Sequence, residues 1–145
     1  VIASRQFHPL IEKFSDKAVR NQAAVGLIGA INANDLRKVV LTDEARDALI
    51  HGLQHPNAKV RWWCLQYMDH LADESFIAHI IPMTKDPVGK VRRHAVHALT
   101  CDICKQDQCA LEYDLRPLLS EIALNDPDVR VRNEAQGALN QMSAN

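Results

Sequence analysis

Three cysteines crowd one short stretch, Cys101, Cys104 and Cys109, with the spacing C-x2-C-x4-C. Thiolates separated by two residues can hold one tetrahedral zinc ion, which takes four nitrogen or sulfur ligands in a structural site. A fourth donor is at hand in His97, one helical turn before Cys101, with His94 a turn earlier on the same face. A structural zinc on Cys101, Cys104, Cys109 and His97 would pin an irregular connection to the end of the helix above it. The competing reading is three reduced thiols, with Cys101 buried under the helix end. Iron–sulfur chemistry fits less well: the remaining cysteine, Cys64, stands far off in the chain at a small packing position.

Elsewhere the chemistry thins out. The sequence holds no Ser/His/Asp arrangement, no paired-carboxylate motif and no phosphate-cradling glycine loop. His51, His55, His70 and His79 fall among helix ends and surfaces and read as solvated or capping side chains. The expectation is therefore a protein without catalytic residues of its own.

Composition narrows the class further. The chain has 145 residues, enough for one domain with a buried core. Apolar residues make up 47% but aromatic ones only 5%, which suits closely packed helices better than β-structure. A net charge of −1 supplies no bulk attraction to nucleic acid or to an acidic membrane surface. No apolar run is long enough to span a bilayer, and VIASRQF does not read as a signal peptide. The chain starts without Met, which fits the loss of an upstream segment. Few, clustered cysteines point to reduced thiols or metal ligands rather than a disulfide framework, and so to the cytoplasm.

The elements that must position these residues come from a repeated word. DPVGKVRRHAVHAL from Asp86 returns as DPDVRVRNEAQGAL from Asp126, more loosely as HPNAKVRWWCLQYM from His55, and as SDKAVRNQAAVGL from Ser15. Aligning Val19, Val60, Val91 and Val131 puts Ala23, Cys64, Ala95 and Ala135 four places on, and Leu27, Met68, Leu99 and Leu139 eight places on. Those offsets share one helical face, with small residues where a second helix must come close. The anchors lie about 30 to 40 residues apart, the period of stacked helical pairs.

In its word D-P-x-x-x-V-R-x-x-A-x-x-A-L the chain resembles the HEAT-repeat family, specifically the short bacterial HEAT-like repeats of the PBS-lyase type. The resemblance covers nearly the whole chain. It implies an all-α fold, a right-handed α-α superhelix or solenoid of about four helical pairs plus a short extra helix. It also implies a protein that binds another macromolecule. Similar cysteine-bearing connections in such proteins support a metal-held segment and give it no catalytic role.

The expected layout is a single domain over 1–145. Its repeats span about 4–32, 35–71, 73–100 and 114–142, with the cysteine-bearing connection at 101–113. Phe7, Leu10, Ile11 and Phe14 make the first outer helix, and 17–31 the first inner helix, stopped at Asn32 and Asn34. Residues 35–41 form the short extra turn or helix, and Thr42 caps a helix to about Gln54. The second inner helix covers 58–71. Asp73 opens the third outer helix, which Pro82 should kink, and 88–100 is the third inner helix. The fourth pair begins at Asp114 or Leu115 and ends near Met142. Five places after the anchors stand Ala24, Leu65, Val96 and Gln136; the polar Gln136 suits the capping face of a stack.

Two features point to a binding surface. Trp62 and Trp63 occupy places that hold Asn21 and Gln22, Arg93 and His94, and Asn133 and Glu134 in the other copies. In HEAT-like stacks the second helix of each pair lines the concave face, so the resemblance assembles a surface from Trp62, Trp63, Gln66, Arg93, His94 and His97. Exposed tryptophan beside arginine is the composition of an interface hot spot. The alternative is that 35–41 folds over the indoles through Leu36, Val39 and Val40. The second feature is the arginine after each anchor, Arg20, Arg61, Arg92 and Arg132. Such a row could track phosphates; the reading favoured here pairs it with Asp16, Asp86 or Asp126 to tie neighbouring repeats.

The sequence thus describes a scaffold binding a protein or peptide through its inner-helix surface. One alternative is a nucleic-acid binder that stacks bases on tryptophan. The other is a bilin-lyase-like enzyme, which needs a deep cleft. A HEAT-like di-iron hydroxylase is excluded, because no histidine here is followed by Glu.

Overall fold

A computed structural model describes residues 7–71, 73–101 and 114–144, and among them it contains helices and no strand. Cys104 and Cys109 lie outside the described residues, as does the rest of the connection after Cys101. In chain order the helices are α1 (His8–Glu12), α2 (Arg20–Leu27), α3 (Ala33–Leu36), α4 (Asp43–Gly52), α5 (Ala58–His70), α6 (Ile77–Ile80), α7 (Gly89–Thr100), α8 (Arg116–Asn125) and α9 (Val129–Ala144). Short 3-10 turns follow α1 and flank α6.

Local chemistry sets most of these limits. Thr42 caps α4, its hydroxyl accepting the Ala45 N–H at 3.1 Å, and Asn57 caps α5 by accepting the Lys59 N–H at 2.9 Å. Pro82 cannot donate to the helix, and from Ile81 onward α6 tightens into a 3-10 turn. Pro117 sits in the first turn of α8, where the missing N–H has no helical partner to lose.

Two boundaries differ from the sequence reading. Helix α2 ends at Leu27, because Gly29 takes φ 97° and its N–H closes on the Val25 carbonyl at 2.9 Å. Asn32 consequently starts an element instead of ending one: it caps α3 by accepting the Asp35 N–H at 3.0 Å. The short extra helix therefore covers Ala33–Leu36 rather than 35–41.

The anchors define the core. Val60, Val91 and Val131 are fully buried, each the third residue of its helix, and so are Cys64, Ala95 and Ala135 four places on. Small residues are required where helices close up. At Gly52 in α4, an added Cβ would lie 2.5 Å from Cys64 Sγ in α5. The first copy departs from this pattern. Val19 precedes α2 and is only half-buried, because Asp16 stands three residues before it, whereas Asp86 and Asp126 stand five before theirs. The shorter turn leaves no room for the two helical residues that precede the other anchors. Inner helices α5, α7 and α9 pack in that order, and α8 packs on α9. Val96 in α7 joins Leu119, Ile122 and Val131 in the core of the last pair, so the residue five places after the anchor faces the next repeat. Gln136, its counterpart in α9, is exposed.

The arginines clip the stack together. Each bonds the carbonyl six residues upstream: Arg20 to Phe14 at 2.7 Å, Arg61 to His55 at 2.8 Å, Arg92 to Asp86 at 3.0 Å and Arg132 to Asp126 at 2.7 Å. Arg61 and Arg92 also reach the next turn, forking onto Asp86 at 2.8 and 3.1 Å and onto Asp126 at 2.9 and 3.0 Å. Asp86 and Asp126 in turn accept the N–H two residues on, fixing their own turns. Arg61 and Arg92 are thus committed to neighbouring repeats rather than presented to phosphates. Where the copy after Arg20 would supply an aspartate the sequence has His55, whose Nδ1 accepts the Asn57 N–H at 3.0 Å. Asp16 closes its own turn by accepting the Ala18 N–H at 2.9 Å.

Candidate functional site

Successive inner helices bring Trp62, Lys90, Arg93, His94, His97 and Glu134 around one open recess of about 260 Å³. Four of the six residues read from the sequence as a binding surface line it. Trp62 lies flat on His94, ring centroids 4.4 Å apart, and His94 stacks in turn on His97 at 5.8 Å. Lys90 and Arg93 stay exposed at the rim, Arg93 touching Glu134 only at 3.4 Å.

The other two residues sit to one side. Trp63 meets Trp62 edge-on at 5.0 Å, leans on Tyr67, and carries the Arg20 guanidinium 3.9 Å above its ring. Gln66 donates to His70 Nε2 at 3.2 Å. Both indoles are half-buried. Of the residues that the alternative reading lays over the indoles, Val40 is 93% exposed, Leu36 is sunk in the core and Val39 is half-buried against the same core.

The histidines have opposite electrostatics although they share a stack. His97 bridges two carboxylates, with Nε2 3.4 Å from Asp69 Oδ2 and Nδ1 3.1 Å from Glu134 Oε1. The hydrogen bond to Asp69 is the main reason its pKa rises to about 9, against the drag of burial. His94 is pushed down to about 4, chiefly by burial, and its Nε2 is enclosed with no hydrogen-bond partner among the described residues. At neutral pH the recess therefore holds one imidazolium and one neutral imidazole.

Of the four zinc ligands read from the sequence, the described residues include His97 and Cys101, and these do come together. They are joined by Asp69: one donor atom from each of Asp69, His97 and Cys101 lies within 4.8 Å of the others. Sequence reasoning missed Asp69. The sequence carries no local signal for it, because the other two members of the cluster come from the next repeat. Cys64 is fully buried, and burial pushes its thiol far above the usual range, so it is an inert packing residue.

A family model described as HEAT repeats matches residues 5–100. The chain belongs to the HEAT-repeat family. Comparison with curated proteins returned no match. HEAT repeats serve generally as protein-interaction scaffolds, and in this HEAT protein Trp62, Lys90, Arg93 and His94 share the face formed by inner helices α5 and α7. No helix among the described residues is long and apolar enough to cross a membrane.

Proposed function

We propose that this HEAT-repeat protein is a non-catalytic adaptor that binds a protein or peptide segment in the recess between α5 and α7. One observation supports the reading above the rest: Trp62 is stacked and held on His94, so its remaining ring surface is offered to a partner in a fixed pose, beside the exposed cations Lys90 and Arg93. A rigid aromatic loses little side-chain entropy on binding, and truncating such an anchor typically weakens a complex by about 2 kcal/mol or more. Flanking cations favour a partner segment with acidic residues next to an apolar one.

The test compares partners retained by wild-type protein, Trp62→Ala and Arg93→Glu, with helicity as the control for folding. Trp62→Ala is expected to weaken the complex at least thirtyfold, the factor equal to about 2 kcal/mol, and Arg93→Glu to slow association. Undiminished binding by a folded Trp62→Ala protein would refute the site. A parallel salt titration against single- and double-stranded DNA separates a nucleic-acid binder, for which affinity falls steeply with salt.

A further inference from the structure

We propose that Asp69, His97 and Cys101 form a binding site for a divalent transition-metal ion, zinc foremost. The three residues come from two repeats: Asp69 from the last turn of α5, His97 from the last turn of α7, and Cys101 from the residue that closes α7. Their donor atoms already lie within 4.8 Å of one another, His97 Nε2 and Asp69 Oδ2 at 3.4 Å. Metal–ligand bonds of about 2.0 to 2.3 Å in a tetrahedral shell put adjacent donors about 3.3 to 3.8 Å apart. The cluster has to contract by about 1 Å at most to enclose an ion, which would take the place of the proton that His97 Nε2 shares with Asp69 and release it to solvent.

The second shell is built as well. His97 directs Nε2 at the cluster and is held from the other side by Glu134 of α9, at 3.1 Å from Nδ1. A carboxylate on the far nitrogen is the device that fixes the ring of a metal-bound histidine and raises its basicity. Access is present too: His97 and Cys101 border an open recess of about 360 Å³ that also touches Thr100, Asn133, Gly137 and Gln141. Among the described residues, that recess meets the cluster on its His97 and Cys101 side. One oxygen, one nitrogen and one sulfur donor select zinc, cobalt or a similar ion over calcium and magnesium, which want oxygen shells. The site takes His97 and Cys101 from the set read in the sequence and draws its third ligand from the preceding repeat. A bound ion there would clip α5 to α7 and, through Glu134, to α9.

Cobalt(II) added to chelator-treated full-length protein tests the assignment, because a thiolate-to-cobalt charge-transfer band reports sulfur in the shell, and zinc should displace it. Wild type is expected to show the band at one equivalent. Cys101→Ser should abolish it, Asp69→Asn should remove stoichiometric binding, and Glu134→Gln should weaken affinity about 10- to 100-fold. The double variant Cys104→Ser with Cys109→Ser should keep the band. Absence of the band in wild type would overturn the assignment, as would its loss in that double variant. So would cobalt affinity in folded Glu134→Gln and Asp69→Asn proteins equal to that of wild type. Should Asp69→Asn lose its helicity, Glu134→Gln decides, since among the described residues Glu134 touches the cluster through His97 and lies partly exposed.

Discussion

Replacing Arg61 with alanine should lower folding stability by about 3 to 5 kcal/mol, as expected when one member of a buried ion pair is removed. The Arg61 side chain is 11% exposed and that of Asp86 is 4%, so the carboxylate left behind would be buried without its fork of N–H donors. Arg61 also holds the His55 and Pro56 carbonyls, at 2.8 and 3.2 Å, and these lose their donor at the same stroke. Arg132 makes the same upstream bond but, among the described residues, has no aspartate fork. Arg132→Ala should therefore cost only about 1 kcal/mol. Urea denaturation of the two variants gives the comparison. Equal losses would mean that the fork to the next repeat adds nothing. The double variant Arg61→Met with Asp86→Leu should recover part of the loss, since it leaves no buried charge, although the Val88 N–H then lacks its acceptor.

Stability should fall on both sides of a maximum just below neutral pH, through two histidines of one stack. His97 has its pKa raised to about 9 in the folded chain, against about 6.5 unfolded. Between those values the folded state holds the extra proton, so this contribution is complete below pH 6.5 and is lost as pH rises through 9. The groups facing His97 are Asp69, Glu134, Cys101 and His94. Because its side chain is 44% exposed, solvent screening trims the effect to about 1 kcal/mol. His94 runs the other way. Its pKa of about 4 means that the unfolded chain binds the extra proton between pH 4 and 6.5, so stability drops by about 2 to 3 kcal/mol as pH falls across that range. His94→Phe keeps a ring against Trp62 and should flatten the acid limb alone. His97→Gln should flatten the alkaline limb and, by removing a charge that helps to depress His94, soften the acid limb slightly. Thermal melts of chelator-treated protein from pH 4 to 9 read both, and an acid limb unchanged in His94→Phe would show that carboxylates elsewhere cause it.

The repeat word was legible because its requirements are steric: a buried valine, a small residue four places on and an arginine beside the turn can be aligned without coordinates. Its turn lengths were equally visible, and the short Asp16-to-Val19 turn explains the one copy whose anchor is only half-buried. The boundary at Gly29 escaped because a left-handed glycine and an Asn cap both read as helix terminators, and here they serve two different helices. The candidate site was legible in its members more than in its contacts. Aligning equal offsets would set Trp63 against His94 and Trp62 against Arg93. The helices are staggered instead, so residues two places after one anchor meet residues three places after the next: Trp62 stacks on His94, and Arg93 reaches Glu134. One helical turn further round, each contact steps back three places: Asp69, nine places after its anchor, meets His97, six after the next, and His97 meets Glu134, three after the last. No single repeat contains that cluster, so no local motif could announce it.

Site-specific photo-crosslinking addresses partner binding most directly. A photoreactive residue placed at Arg93, on the recess rim, should capture the same partner segment that Trp62→Ala releases. The same group placed at Leu124, which is 78% exposed on outer helix α8, should capture none of it. Capture from position 124 with none from position 93 would contradict the account, because the partner would then be riding on the outer helices and the tryptophan recess would be only part of the stack.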